Sequence, residues 1–245
     1  MPGVTPDLPL AQTLRLVIEV AATAAFALSG VFEGARKRLD AVGVCVVGVL
    51  AAFGGGTLRD LLLDQRPFFW VLHVELLWGV LLLCVVVMAV MRRRHFAPTE
   101  RAMLWPDALG LGLFTATGVQ VALETGMPAL VAVLMGVVTG VFGGVLRDIV
   151  CNEIPAVLRD HRPYAVCAFA GGWVHVGLTQ AGAEPWIVTL ATLLVTGGSR
   201  CSRCAWVGGC RRGRPERPRV VPPCPPFGPG GRTLSPRAWS RRVPA

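Results

Sequence analysis

"FALSGVFEGARKRLDAVGVCVVGVLAAFGGGTLRDLLLDQRP" runs from Phe26 to Pro67, and "FTATGVQVALETGMPALVAVLMGVVTGVFGGVLRDIVCNEIP" runs from Phe114 to Pro155. The two align without a gap at an offset of 88, pairing Phe26 with Phe114, Gly30 with Gly118, Gly48 with Gly136, Gly55 with Gly143 and Gly56 with Gly144. Leu58, Arg59, Asp60 and Pro67 likewise fall on Leu146, Arg147, Asp148 and Pro155. Any two apolar segments agree by composition. A glycine pair, Leu-Arg-Asp and a distant proline held in register do not. The chain therefore contains an internal duplication.

The setting of that duplication is a bilayer, because hydrophobic residues make up 53% of the chain and charged ones only 16%, far from the balance of a soluble domain. Seven apolar stretches approach the roughly 20 residues a helix needs to cross the hydrocarbon core. They are 11–31, 41–62, 69–91, 104–123, 128–150, 164–182 and 185–199. "AATAAFALSG" has small residues of the kind a signal peptidase cuts after, but its counterpart in the second copy marks it as a retained span. The expected fold is an all-α polytopic membrane protein with seven transmembrane helices. A first three-helix repeat occupies 11–91, a second occupies 104–182, and a seventh, short helix occupies 185–199. Three spans per copy force the second to enter the membrane from the opposite side, so the repeats are inverted.

Lys and Arg in short loops favour the cytoplasm. Arg36, Lys37, Arg38, Arg92, Arg93, Arg94, Arg101, Arg159 and Arg162 fall on one side, and Arg66 alone on the other. The chain is expected in the cell (inner) membrane with its N-terminus outside and its C-terminus cytoplasmic. The net charge of +9 gives no footprint for nucleic acid, because it belongs to the end of the chain. From Arg200 onward eleven arginines face one acid, Glu216. This 200–245 segment, rich in proline, arginine and cysteine, has too little apolar periodicity to fold and is expected to be disordered. It also resembles text translated in a shifted frame. Its cysteines, Cys201, Cys204, Cys210 and Cys224, lack the second pair or the histidines that a zinc site needs.

Gly54, Gly55 and Gly56, with Gly143 and Gly144 in the second copy, give up about 1 kcal/mol of helix propensity each. They serve either close helix packing or a break that frees backbone carbonyls beside a polar cavity. Charges inside spans are costly and mark bundle interiors or water paths. Arg59, Asp60, Arg147, Asp148 and the deeper Glu19 are the candidate pore or gate charges. Neighbours on a helix point about a quarter-turn apart, so the expectation is pairing across the pseudo-two-fold, Arg59 with Asp148 and Arg147 with Asp60. Snorkelling to the headgroups is the alternative. Glu75 beside His73 suggests an interface, His73 falls on His161 at the same offset, and His175 reads as a packed, hydrogen-bonded histidine.

Two inverted three-span repeats, each with a second helix ending in "GGGTLRD" or "GGVLRD", plus a seventh span, resemble the prokaryotic branch of the trimeric intracellular cation channel family, whose repeat is also known as a glycine-transporter-like domain. The resemblance spans residues 11–199. It implies a homotrimer in membrane lipid, with one pore per protomer for monovalent cations, chiefly potassium. The lining would come from second and fifth helices kinked at Gly54, Gly55, Gly56, Gly143 and Gly144, and no cofactor is called for. Arginines on such a path would repel cations, so Arg59 and Arg147 are expected to act as a gate neutralised by Asp60 and Asp148. A secondary transporter of a small solute such as glycine would use the same architecture. The spans carry no HExxH, no GxSxG and no zinc-ligand cluster, so an enzyme is not expected.

Overall fold

The computed structural model describes residues 8–94, 99–158 and 164–210. Seven long helices make up the bundle: α1 (Leu8–Arg36), α2 (Ala41–Leu62), α3 (Val74–Arg94), α4 (Glu100–Glu124), α5 (Ala129–Val150), α6 (Tyr164–Gln180) and α7 (Pro185–Cys210). A short helical turn, Phe69–Leu72, and a 3₁₀ turn, Ala156–Leu158, follow α2 and α5. The protein is an all-helical polytopic membrane protein built from two inverted three-helix repeats and a seventh helix. Thr13–Arg36, Ala41–Leu62, Val74–Arg93 and Ala129–Val150 are long and apolar enough to cross a membrane on composition alone.

Helix ends follow local chemistry. Asp40 caps α2 by accepting from the Gly43 amide at 2.8 Å, and Thr99 caps α4 through the Ala102 amide at 3.3 Å. The two Leu-Arg-Asp helices finish in the same turn. Asp64 (φ 50°) and Asn152 (φ 54°) take the left-handed conformation, which short polar side chains tolerate. Gln65 and Glu153 then donate back to the Asp60 and Asp148 carbonyls, both at 2.8 Å, which stops each helix and reverses the chain. The first and last helices outrun their expected bounds: α1 extends to Arg36 and α7 to Cys210. Nothing in "RCSRCAWVGGC" breaks a helix, since the next proline is Pro215. Residues 200–210, expected to be disordered, are therefore helical; residues 211–245, the rest of that expected disordered tail, and His161, Arg159 and Arg162 lie outside the described residues.

The repeats meet on a pseudo-two-fold axis. Phe26 and Phe114, equivalent by the 88 offset, stack on each other with ring centroids 5.5 Å apart. Beside them α2 and α5 cross in reciprocal fashion. A β-carbon on Gly55 would lie 2.0 Å from the Thr139 carbonyl oxygen, and one on Gly143 would lie 2.3 Å from that of Ala51. Ala51 and Thr139 are themselves 88 apart, so one contact is the symmetry image of the other. In the first repeat Phe53, Phe69, Val80 and Cys84 form the buried core, and in the second Val119, Ala132, Val133 and Val176 do so. The outward faces, Trp78, Leu82, Val85 and Val90 on α3 and Leu194 on α7 among them, are exposed and apolar, as lipid contact requires.

Candidate functional site: two buried arginine clusters

Both arginines of the duplicated motif are buried, each with 1% of its surface exposed, which excludes snorkelling. Arg59 does not reach Asp148, nor Arg147 Asp60. Each pairs instead with the aspartate next to it. Arg59 Nε donates to Asp60 Oδ1 at 2.8 Å and its Nη2 lies 2.7 Å from the same oxygen. Arg147 repeats the arrangement on Asp148 at 2.9 and 2.8 Å. The long guanidinium stem curls back around the helix end and closes the quarter-turn that separates neighbouring positions. The expected cross-pairing fails for a geometric reason. α2 and α5 are antiparallel, and each motif lies about six residues beyond the crossing, so the arginines stand about 18 Å apart at opposite ends of the bundle.

The second oxygen of each aspartate ties down the returning chain. Asp60 Oδ2 accepts the Phe69 amide at 2.9 Å and Asp148 Oδ2 the Ala156 amide at 2.8 Å. The Phe69 ring packs under the Arg59 guanidinium at 5.6 Å, a cation–π contact.

Each arginine also meets a carboxylate from the first helix of its own repeat. Arg59 Nη1 lies 3.6 Å from Glu19 Oε1, and Arg147 Nη1 lies 2.6 Å from Asp107 Oδ1. Glu19 and Asp107 are 88 apart and both buried. Sequence reasoning found Glu19 and missed Asp107; carrying the alignment seven residues upstream of Phe26 and Phe114 brings one onto the other. Each cluster thus sets two carboxylates against one buried guanidinium, a formal charge of −1 at the Arg147 end that Arg15, 3.6 Å from Glu19, offsets at the Arg59 end, in a water-poor environment where carboxylates attract a cation strongly.

The two ends are not alike. Arg147 Nη1 also donates to Ser29, a residue of the opposite repeat, and Ser29 Oγ lies 3.4 Å from Asp107 Oδ1. The counterpart of Ser29 is Thr117, which bonds the Phe114 carbonyl at 3.3 Å instead. Glu19 Oε1 and Arg59 Nη1 therefore make no hydrogen bond among the described residues. Glu19 Oε1 is also 3.6 Å from Arg15 Nε, and Arg15 Nη1 is drawn 2.7 Å from Glu124 Oε2 at the surface.

Gly54, Gly55, Gly56, Gly143 and Gly144 lie within helices assigned without interruption from Ala41 to Leu62 and from Ala129 to Val150. Their visible contribution is close approach: Gly55 and Gly143 admit a neighbouring backbone, Gly56 admits the Phe69 ring, and Gly54 faces Leu146. Glu75 is exposed in the first turn of α3. His175 is buried between Thr192 Oγ1 at 3.2 Å and Gln120 Oε1 at 3.3 Å.

A family model described as "Glycine transporter" matches residues 16–92 and 104–180. A "UPF0126 membrane protein" of Vibrio cholerae is 35% identical over 207 residues, covering 83% of this chain and 84% of that protein. The "UPF0126 inner membrane protein YadS" of Escherichia coli K12 is 40% identical over 182 residues, covering 71% and 86%. Among solved structures, the trimeric intracellular cation channel orthologue from Rhodobacter sphaeroides superposes with a TM-score of 0.74 at 32% identity, over 80% of this chain and 99% of that one. A prokaryotic channel of the same kind, crystallised in 0.5 M KCl, superposes with a TM-score of 0.73 at 25% identity, over 80% and 98%.

Proposed function

We propose, for a chain that belongs to the glycine transporter family and with it to the trimeric intracellular cation channels, that it is a channel for monovalent cations, chiefly potassium, with one pathway in each protomer of a homotrimer. The observation that carries this function is the pair of buried clusters, one at each end of the α2/α5 crossing, each with two carboxylates around a buried arginine. A permeating cation is attracted by Glu19 and Asp60 at one end and by Asp107 and Asp148 at the other. Arg59 and Arg147 are tethered cations that occupy those sites, so conduction requires each guanidinium to move aside while its carboxylates take the ion. Gly54, Gly55, Gly56, Gly143 and Gly144 let α2 and α5 approach at the narrow middle of the pathway and yield there when it opens. The repeats occupy 11–91 and 104–182, and the Arg59 end faces outward if the basic loops lie in the cytoplasm.

Recording from purified protein in a planar bilayer under a KCl gradient tests this. Unitary currents that reverse near the potassium potential are expected. Slow, saturable uptake of glycine without unitary currents would instead indicate a carrier working by alternating access. Cysteine labelling of loops 32–40 and 92–103 in intact cells tests orientation; modification by an impermeant reagent from outside would reverse it.

A further inference from the structure

We infer, building on the cation-channel function proposed above, that Arg15 and Glu124 are positioning residues for the Arg59 gate, acting through Glu19. Glu19 Oε1 stands 3.6 Å from Arg59 Nη1 on one side and 3.6 Å from Arg15 Nε on the other. It is buried, and neither it nor Arg59 Nη1 makes a hydrogen bond among the described residues. A buried carboxylate oxygen held between two guanidinium groups, bonded to neither, is poised to close on whichever comes nearer. What keeps Arg15 away is Glu124, whose Oε2 holds Arg15 Nη1 at 2.7 Å. Glu124 is fixed in turn by Gln120, whose amide donates to its Oε1 at 2.9 Å. The bridge joins the first helix of one repeat to the first helix of the other and lies at the surface, where it exchanges readily with water.

The device exists at one end only. The positions equivalent to Arg15 and Glu124 are Met103 and Arg36, and Arg147 is held by Asp107, Asp148 and Ser29. Releasing Arg15 from Glu124 lets it close on Glu19, which weakens the hold on Arg59 and favours the open gate. Removing Arg15 leaves Glu19 to Arg59 and favours the closed one.

The signs of these effects oppose those of simple mouth electrostatics. A neutralised Glu124 at an entrance would lower the local cation concentration and the current, a neutralised Arg15 would raise both, and the two effects would fade in high salt. The test is single-channel recording of Glu124→Gln, Arg15→Gln and the double variant at low and high KCl. Each single variant removes only one member of an exposed pair, which costs the fold little. Open probability should rise several-fold in Glu124→Gln and fall several-fold in Arg15→Gln, at both salt concentrations. The double variant should match Arg15→Gln, since Glu124 then has nothing to restrain. Changes of the reverse sign, salt-sensitive changes in current amplitude alone, or no change would overturn the inference. Structures of the two single variants decide it independently of any current. The Arg59 to Glu19 separation should shorten to hydrogen-bonding distance in Arg15→Gln and lengthen in Glu124→Gln, and an unchanged separation in both would overturn it. A wild-type protein that passes no cation current would remove the channel function while leaving this structural test standing.

Discussion

Gly55 presses against the Thr139 carbonyl so closely that a β-carbon would sit 2.0 Å from its oxygen, and Gly143 presses on Ala51 in the same way at 2.3 Å. The clash is with backbone, which cannot rotate aside. Gly55→Ala and Gly143→Ala should each destabilise the bundle by about 1–3 kcal/mol, the usual cost of overpacking. Gly54→Ala meets only the flexible tip of Leu146, at 2.5 Å, and should cost less. Gly79→Ala meets nothing within 4 Å and should gain up to about 1 kcal/mol from helix propensity. Thermal unfolding in detergent ranks the four. A stable Gly55→Ala protein lacking cation flux would assign the glycine to opening instead of packing.

Arg147 is tied by Asp107, Asp148 and Ser29, so Arg147→Gln leaves two buried carboxylates without their cation. The expected loss is about 3–5 kcal/mol, the range for breaking a buried pair from one side. Arg59→Gln should cost less, because Glu19 keeps Arg15 at 3.6 Å. Denaturant titration of the two variants checks the order, and equal losses would contradict the inequality of the two ends.

Ser29→Ala removes a hydroxyl that joins Arg147 to the opposite repeat. A hydrogen bond to a charged group contributes about 1.5–3 kcal/mol. The variant should lose stability on that scale, while Thr117→Ala, whose hydroxyl donates to the Phe114 carbonyl of its own helix, should lose less. Melting temperatures of the pair provide the comparison.

Cys151 sits one residue past α5, buried at 6% exposure. Burial pushes its thiol up from 9.0 to about 11, and the negative charge of Glu33 adds to the effect. Only the thiolate reacts, so alkylation near pH 8 should be about two orders of magnitude slower in the folded protein than after unfolding. Because the folded state holds this proton more tightly, the group's stabilising contribution is complete below pH 9.0 and lost as pH rises through about 11. Iodoacetamide kinetics at Cys151 with and without denaturant test the first statement, equal rates placing the thiol in solvent, and denaturant titration between pH 8 and pH 11 tests the second.

Much of this was legible in the sequence because the duplication supplied its own control. Gly55 and Gly143, and Arg59 and Arg147, fall in register where two unrelated spans would not agree, and an odd number of spans per copy implies inversion. Asp107 lies seven residues ahead of the matched stretch that opens at Phe114, in a segment where the copies share little else, although its equivalence to Glu19 follows from the same offset. The pairing of Arg59 was misjudged because a helical wheel fixes where Cβ points and says nothing of where a five-bond side chain ends. The difference between Ser29 and Thr117 was invisible. Both are small hydroxyl residues, and only packing decides that one reaches an arginine and the other a carbonyl of its own helix.

The antiparallel crossing that parts Arg59 from Arg147, with unlike partners at its two ends, also gives the molecule an electrical polarity. A potential across the membrane acts on a moving charge with about 2.3 kcal/mol per 100 mV. Under the gating proposed above, two tethered cations that leave their carboxylates in opposite directions would feel that field with opposite sign, so a voltage that draws one guanidinium out of place would drive the other home. Equal ends would cancel and give a symmetric current–voltage curve. Ends as unequal as these predict a rectifying current–voltage curve for that gate, and replacing Ser29 by alanine should flatten it.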